Sequence, residues 1–162
     1  MMRWVVTLAT AVALAAACGP SAQPTCTGVS CVCNGSDCAC AGGASCDVMC
    51  GIFPRCNATC TGVTACNVEC RDDCTAKCNA GDTCTMQCAN NCTYDCSKSK
   101  TCTADVGDDA NVDCTGAGSC TVTCSGTCKV KCGNAGACNV TCASGAAADV
   151  CSDQTTRACG GC

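Results

Sequence analysis

Cysteine recurs every eighteen residues along most of this chain. Positions 66, 84, 102, 120 and 138 are all Cys, and so are 70, 88, 124 and 142, with Val106 the one exception in that column. A third column runs Cys74, Cys92, Ala110, Cys128, Ala146, and a fourth runs Cys78, Cys96, Cys114, Cys132, Val150, with Cys151 next door. Cys46, Cys50, Cys56 and Cys60 belong to the same series with a first turn lengthened by two residues. A fixed period of this length marks a stacked repeat, in which each unit buries its apolar face only against its neighbours.

Within each Cys-x-small-x-Cys segment the first, third and fifth side chains share one face of a strand. Those are Cys, then Val, Ala, Met or Tyr, then Cys. The intervening positions are polar: Asn67 and Glu69, Thr85 and Gln87, Thr121 and Thr123, Lys129 and Lys131. A helix would scatter such a set around its surface, so the period is that of strands. The connectors Asp72-Asp73, Asn90-Asn91, Asp108-Asp109, Gly126 and Asn79-Ala80-Gly81 are turn formers. Two strands and two short turns per repeat predict an all-β fold: a disulfide-stapled, two-sided β-solenoid of about six coils with parallel stacking. An antiparallel meander is the rival arrangement.

The interior cannot be an ordinary one. The chain has 29 Cys among 162 residues, no His, and one each of Trp, Tyr and Phe. Trp4, Leu8 and Leu14 all fall in the first seventeen residues, so the remainder holds no Leu or Trp. A disulfide needs Cα atoms roughly 4.4–6.8 Å apart, closer than the ~10 Å between packed sheets, so the coil has to be thin. The pairs Val68/Ala76, Ala104/Val112, Val122/Val130 and Val140/Ala148 suit such a gap, whereas Met86 opposite Tyr94 predicts a bulge.

Folding each coil back on itself brings Cys70 to Cys74 and Cys66 to Cys78. The coil from Cys102 replaces the second and third cysteines together, by Val106 and Ala110, and keeps Cys102 and Cys114. The predicted bonds are therefore Cys46–Cys60, Cys50–Cys56, Cys66–Cys78, Cys70–Cys74, Cys84–Cys96, Cys88–Cys92, Cys102–Cys114, Cys120–Cys132, Cys124–Cys128 and Cys138–Cys151. Two more, Cys31–Cys40 and Cys33–Cys38, belong to the N-terminal segment. This frame leaves five cysteines at each end (Cys26, 31, 33, 38, 40 and Cys138, 142, 151, 159, 162), so Cys26, Cys142, Cys159 and Cys162 have no assigned partner. A thiol left over at an end would be open to an intermolecular disulfide.

Residues 1–17 read as an export signal: Arg3, an apolar run, then small residues. Residues 18–25 form a tether, 26–45 a cysteine-rich N-terminal cap, 46–151 the solenoid and 152–162 a C-terminal cap. Leu14-Ala15-Ala16-Ala17-Cys18-Gly19 resembles the lipobox of bacterial lipoproteins, with Ala15 where that family usually has Leu. The resemblance implies lipidation of Cys18, a membrane partner through that lipid, and location in a bacterial cell envelope. Cleavage after Ala22 would give simple secretion instead. An exported chain of this cysteine content is a disulfide scaffold rather than a thiolate metal store, although a thiolate metal-binding protein is an alternative reading.

Catalysis is not expected, because there is no histidine and no phosphate-binding glycine loop. No cofactor is expected. The mild net charge of −4, without a basic block, speaks against nucleic acid. Asp72 and Asp73, two coils from Asp108 and Asp109, could line a cation site, as the turns of repeat-in-toxin nonapeptide rolls do, though the Gly-Gly-x-Gly-x-Asp motif of that family is absent. Thr83-Cys84-Thr85, Thr101-Cys102-Thr103 and Ser119-Cys120-Thr121 resemble the Thr-Cys-Thr units of beetle antifreeze proteins. That resemblance implies a Thr face of Thr83, Thr85, Thr101, Thr103, Ser119 and Thr121 that binds ice or another surface. The role expected from the architecture as a whole is structural or adhesive, with a partner at the cell surface.

Overall fold

The computed structural model of the chain describes residues 23–51, 55–79 and 81–162. The export signal and Cys18 lie outside the described residues. Among these residues there is no helix. Fourteen strands follow one another as β1 (Thr25–Gly28), β2 (Cys31–Asn34), β3 (Asp37–Met49), β4 (Asn57–Asp72), β5 (Thr75–Asn79), β6 (Thr83–Asn90) and β7 (Thr93–Asp95), then β8 (Thr101–Val106), β9 (Ala110–Asp113), β10 (Ser119–Cys124), β11 (Cys128–Lys131), β12 (Cys138–Cys142), β13 (Asp149–Val150) and β14 (Thr156–Cys159).

The strands wind into a two-sided parallel β-solenoid. One face stacks the second half of β3, the second half of β4, then β6, β8, β10 and β12. The opposite face stacks the first halves of β3 and β4, then β5, β7, β9 and β11. Register holds at one repeat per level: Cys66 lies against Cys84, Cys84 against Cys102, Cys102 against Cys120, and Cys120 against Cys138. Parallel pairing at every level rules out the meander. Stacking already begins at Asp37, which lies against Asn57, so part of the segment expected to form the N-terminal cap is the first coil.

Both ends are closed by strands that run the other way. At the start β1 and β2 pair antiparallel with β3. At the finish β14 lies antiparallel on β11, and β13 antiparallel on β14. The tip of β12 is met by the following loop, where Ala148 N–H donates to Val140 O at 3.2 Å and Cys142 N–H to Ala146 O at 2.9 Å. These closures satisfy backbone groups that a bare terminal coil would expose.

Alternation sets the inside and outside of every level. In β8 and β10 the residues Cys102, Ala104, Val106, Cys120, Val122 and Cys124 point inward and are all buried. The predicted bulge at Met86 and Tyr94 does not form: β6 and β7 keep register with their neighbours, and both side chains are fully buried. Small residues one level away make the room. Ala104 stacks on Met86 within one face, and Ala76 stacks on Tyr94 within the other.

The narrow turn between the faces is built the same way in three successive coils. Asp73, Asn91 and Asp109 each take a left-handed backbone, with φ of 56°, 55° and 55°. Asp and Asn tolerate that region better than other non-glycine residues, which explains their recurrence here. Gly107 answers to a different demand, since a Cβ placed on it would stand 1.6 Å from the carbonyl oxygen of Ala89 in the coil beneath.

Candidate functional site: the sulfur core and the outer faces

The described residues hold thirteen disulfides and two free thiols, Cys70 and Cys74. Along the narrow edge the bonds Cys50–Cys56, Cys88–Cys92 and Cys124–Cys128 lie within a coil, as the sequence predicts, and Cys33–Cys38 closes the hairpin of β2 and β3. Cys70 and Cys74, expected to bond in the same way, are thiols in contact with each other.

Along the wide edge the pairing differs from the expected frame. The bonds are Cys40–Cys46, Cys60–Cys66, Cys78–Cys84, Cys96–Cys102, Cys114–Cys120 and Cys132–Cys138. They replace the predicted Cys46–Cys60, Cys66–Cys78, Cys84–Cys96, Cys102–Cys114 and Cys120–Cys132. Each bond therefore links the end of one coil to the start of the next, across the wide turn. The physical reason is stacking: Cys102 and Cys120 are register neighbours, and the sulfur of Cys114 reaches both, lying 3.7 Å from that of Cys102 and bonded to that of Cys120.

The ends follow from this shift. Cys40 and Cys138 are drawn into the wide-edge series, and four cysteines remain at each end. Those pair as Cys26–Cys31 and Cys33–Cys38, and as Cys142–Cys159 and Cys151–Cys162. The expected Cys31–Cys40 and Cys138–Cys151 do not form, and no terminal cysteine is left as a thiol.

The outer faces carry polar columns in register. Thr83, Thr101 and Ser119 form one column, and Thr85, Thr103 and Thr121 the next, so the six residues of the predicted Thr face are brought together as three stacked ranks. Neighbouring strands lie ~4.8 Å apart and alternate residues of a strand ~7 Å apart, which sets the spacing of this hydroxyl grid. Asp47 and Asn67 extend the second column below it, with Asn67 Nδ2 donating to Asp47 Oδ1 at 2.7 Å, and Asn139 follows above.

The opposite face bears a column of charges, Lys77, Asp95, Asp113 and Lys131, along a shallow depression of about 390 Å³. Asp95 and Asp113 are engaged locally. Asp95 Oδ1 accepts from Ser97 N–H at 3.1 Å, and Asp113 Oδ1 accepts from Thr115 N–H at 2.9 Å.

The candidate cation residues are not gathered into one site. Asn90 and Asn91 stand between Asp72/Asp73 and Asp108/Asp109 in the stack. Asn90 Nδ2 donates to Asp72 Oδ1 at 2.9 Å, Asn91 Nδ2 donates to Asp73 Oδ1, and Asp108 Oδ1 accepts from Thr127 N–H at 2.9 Å. These side chains tie coil to coil. A denser donor set lies inside, where the sulfurs of Cys70, Cys74, Cys88 and Cys92 all fall within 4.8 Å of one another. Sequence reasoning treated these four as two independent bridges and missed the cluster, although Cys70 and Cys88 share one column and Cys74 and Cys92 the next.

Fold and sulfur core together define the chain as a disulfide-rich β-solenoid. No family model, curated protein or solved structure matches it.

Proposed function

We propose that this protein is an exported, non-enzymatic rod of a bacterial cell envelope, held to the membrane by a lipid on Cys18, with a structural or adhesive role. The observation that carries this reading is the combination of a cystine-filled interior with two outer faces that repeat polar side chains at fixed spacing. So many disulfides call for an oxidising compartment. A chain without histidine has little to offer as a catalyst, and its stacked polar columns have much to offer as a stiff surface.

Intact mass of the protein isolated from its own cells, with and without reduction, tests the first half. A lipid adduct on a chain starting at Cys18, and a gain of about two mass units per bridge on reduction, support it. A mature chain starting at Gln23 without lipid overturns the anchor. Adhesion is tested by retention of isolated envelope material on immobilised protein. Retention that survives unchanged when Thr103 and Thr121 are replaced by Lys and the Lys77–Lys131 column is charge-reversed would rule out both faces.

One observation favours a second reading, recognition of ice or another ordered surface. The Thr83/Thr85, Thr101/Thr103 and Ser119/Thr121 ranks stand in register on one face. Thermal hysteresis that disappears in Thr103→Lys supports this reading, and none in the wild-type chain ends it.

A further inference from the structure

We propose that Cys70, Cys74, Cys88 and Cys92 form a thiol–disulfide exchange site, in which one bridge is shared between two adjacent coils. Cys70 lies against Cys88 in the ladder joining β4 to β6, and Cys92 sits one level from Cys74, whose carbonyl oxygen accepts from Thr93 N–H at 2.8 Å. The four sulfurs lie within 4.8 Å of one another and are all buried, so a thiol of one coil faces the bond of the next. Cys70 and Cys74 are the two free thiols among the described residues, and Cys88–Cys92 is the adjacent bond.

The reaction needs nothing from outside. Cys74, as thiolate, attacks the sulfur of Cys92; a Cys74–Cys92 bond forms, the Cys88–Cys92 bond breaks, and Cys88 leaves as thiolate and takes up a proton. Cys70 then attacks Cys74, forming Cys70–Cys74 and releasing Cys92, which receives the proton Cys70 gives up. Two thiols and one disulfide enter, and two thiols and one disulfide leave. Electrons move from the sulfurs of one coil to those of the other.

Local electrostatics choose the attacking group. The thiol of Cys70 donates to Cys74 and holds it below the ordinary cysteine range against the opposing effect of burial. Cys70 is pushed well up by the same contact, by burial, and by the charges of Asp72 and Glu69. Those carboxylates also weigh against a metal at the cluster. A tetrathiolate centre would add net negative charge beside them and would require Cys88–Cys92 to be reduced by an outside agent.

The site is bounded on one side. In the coil above Cys88 and Cys92 the equivalent positions are Val106 and Ala110, so exchange cannot pass upward along this edge.

The test uses the full chain purified without reductant. Acid quenching, unfolding in excess maleimide and peptide mapping locate the thiols. The expected result is two labels among the cysteines from Cys26 to Cys162, with Cys88 and Cys92 carrying about a tenth or more of the label, as isomers within ~1.4 kcal/mol require. In the Cys88→Ser/Cys92→Ser double variant the label belongs on Cys70 and Cys74 if those thiols lack the exchange partner. Label confined to Cys70 and Cys74 in the wild-type chain overturns the proposal, and so does the absence of any thiol, which would mean a fourteenth static bridge. The wild-type map decides even if the variant fails to fold.

Discussion

The sulfur of Cys60 stands 3.5 Å from that of Cys46, yet it is bonded to Cys66, across a wide turn that keeps the two Cα atoms 6.2 Å apart. The same near miss recurs higher in the stack, where Cys114 comes within 3.7 Å of Cys102 and is bonded to Cys120. The interior of the wide edge is thus a column of sulfur in which a bonded pair has a further sulfur in van der Waals contact.

Removing one wide-edge bond should have a moderate effect. Replacing both Cys60 and Cys66 by Ala opens a short loop whose closure is worth about 2 kcal/mol in chain entropy. Guanidinium unfolding without reductant should show a loss of that order, somewhat increased by the cavity left behind. A change within about 0.5 kcal/mol would contradict this.

Tyr94 offers a gain instead. Its hydroxyl is buried and has no hydrogen-bond partner, an arrangement that costs on the order of 1–3 kcal/mol. Tyr94→Phe keeps the ring among Met86 and its small neighbours and should raise stability by about 1 kcal/mol. Burial, and then the charge of Asp95, hold the phenol above its ordinary range. The folded chain therefore keeps a proton that the unfolded chain gives up near pH 10, so stability is fully present below that pH and falls as pH rises above it. Denaturation followed through the alkaline range should show this fall in wild type and a smaller one in Tyr94→Phe.

Asp153 gives an effect at the opposite end of the pH scale. Its carboxylate accepts from the Thr156 hydroxyl and from the Thr156 and Thr155 N–H groups, at 2.6, 2.8 and 3.0 Å, which lowers its pKa to about 2. Because the folded pKa lies below the unfolded one, the contribution is present above about pH 4 and is lost as pH falls through about 2. Protection of the Arg157 and Ala158 amides, taken relative to intrinsic exchange at each pH, should fall over that window and should stay level across it in Asp153→Asn.

Gly107 should tolerate no side chain. Alanine there would drive a methyl into the Ala89 carbonyl, so Gly107→Ala has to push two coils apart and should cost about 1–3 kcal/mol. Gly62→Ala is the control: its Cβ meets nothing within 4 Å, leaving only the penalty of a φ of 65°, about 1 kcal/mol.

Much of the coil could be read from spacing alone. Alternation of Cys-x-Val-x-Cys with Thr, Asn and Lys fixed the strands, and the Asp72-Asp73, Asn90-Asn91 and Asp108-Asp109 pairs fixed the narrow turn. The joint loss of cysteine at Val106 and Ala110 marks the narrow-edge bonds Cys50–Cys56, Cys88–Cys92 and Cys124–Cys128, while Cys70 and Cys74 in the same columns stay as thiols. The wide-edge bonds were harder to read, because Cys78 can reach Cys66 or Cys84 and local spacing favours neither. The signal that separates them sits far from any one coil. The expected frame left five cysteines at each end, and moving every wide-edge bond by one partner makes both counts even. Met86 and Tyr94 are accommodated in a way that pairing across the coil does not reveal, because Ala104 and Ala76 supply the space along the stack. The Thr ranks followed directly from the period. The four-sulfur cluster needed two coils to be considered at once.

The reversed strands at the two ends set the length of the rod. A second molecule arriving at the first end would meet reversed strands on both faces, and at the last end a reversed strand on the β11 face, with the tip of β12 met by the loop that follows it, so the ladder that joins coil to coil is interrupted at these places. These reversed strands work against fibre growth by simple templating, however regular the interior. The sides, where the Thr ranks and the Lys77–Lys131 column lie, carry no such interruption.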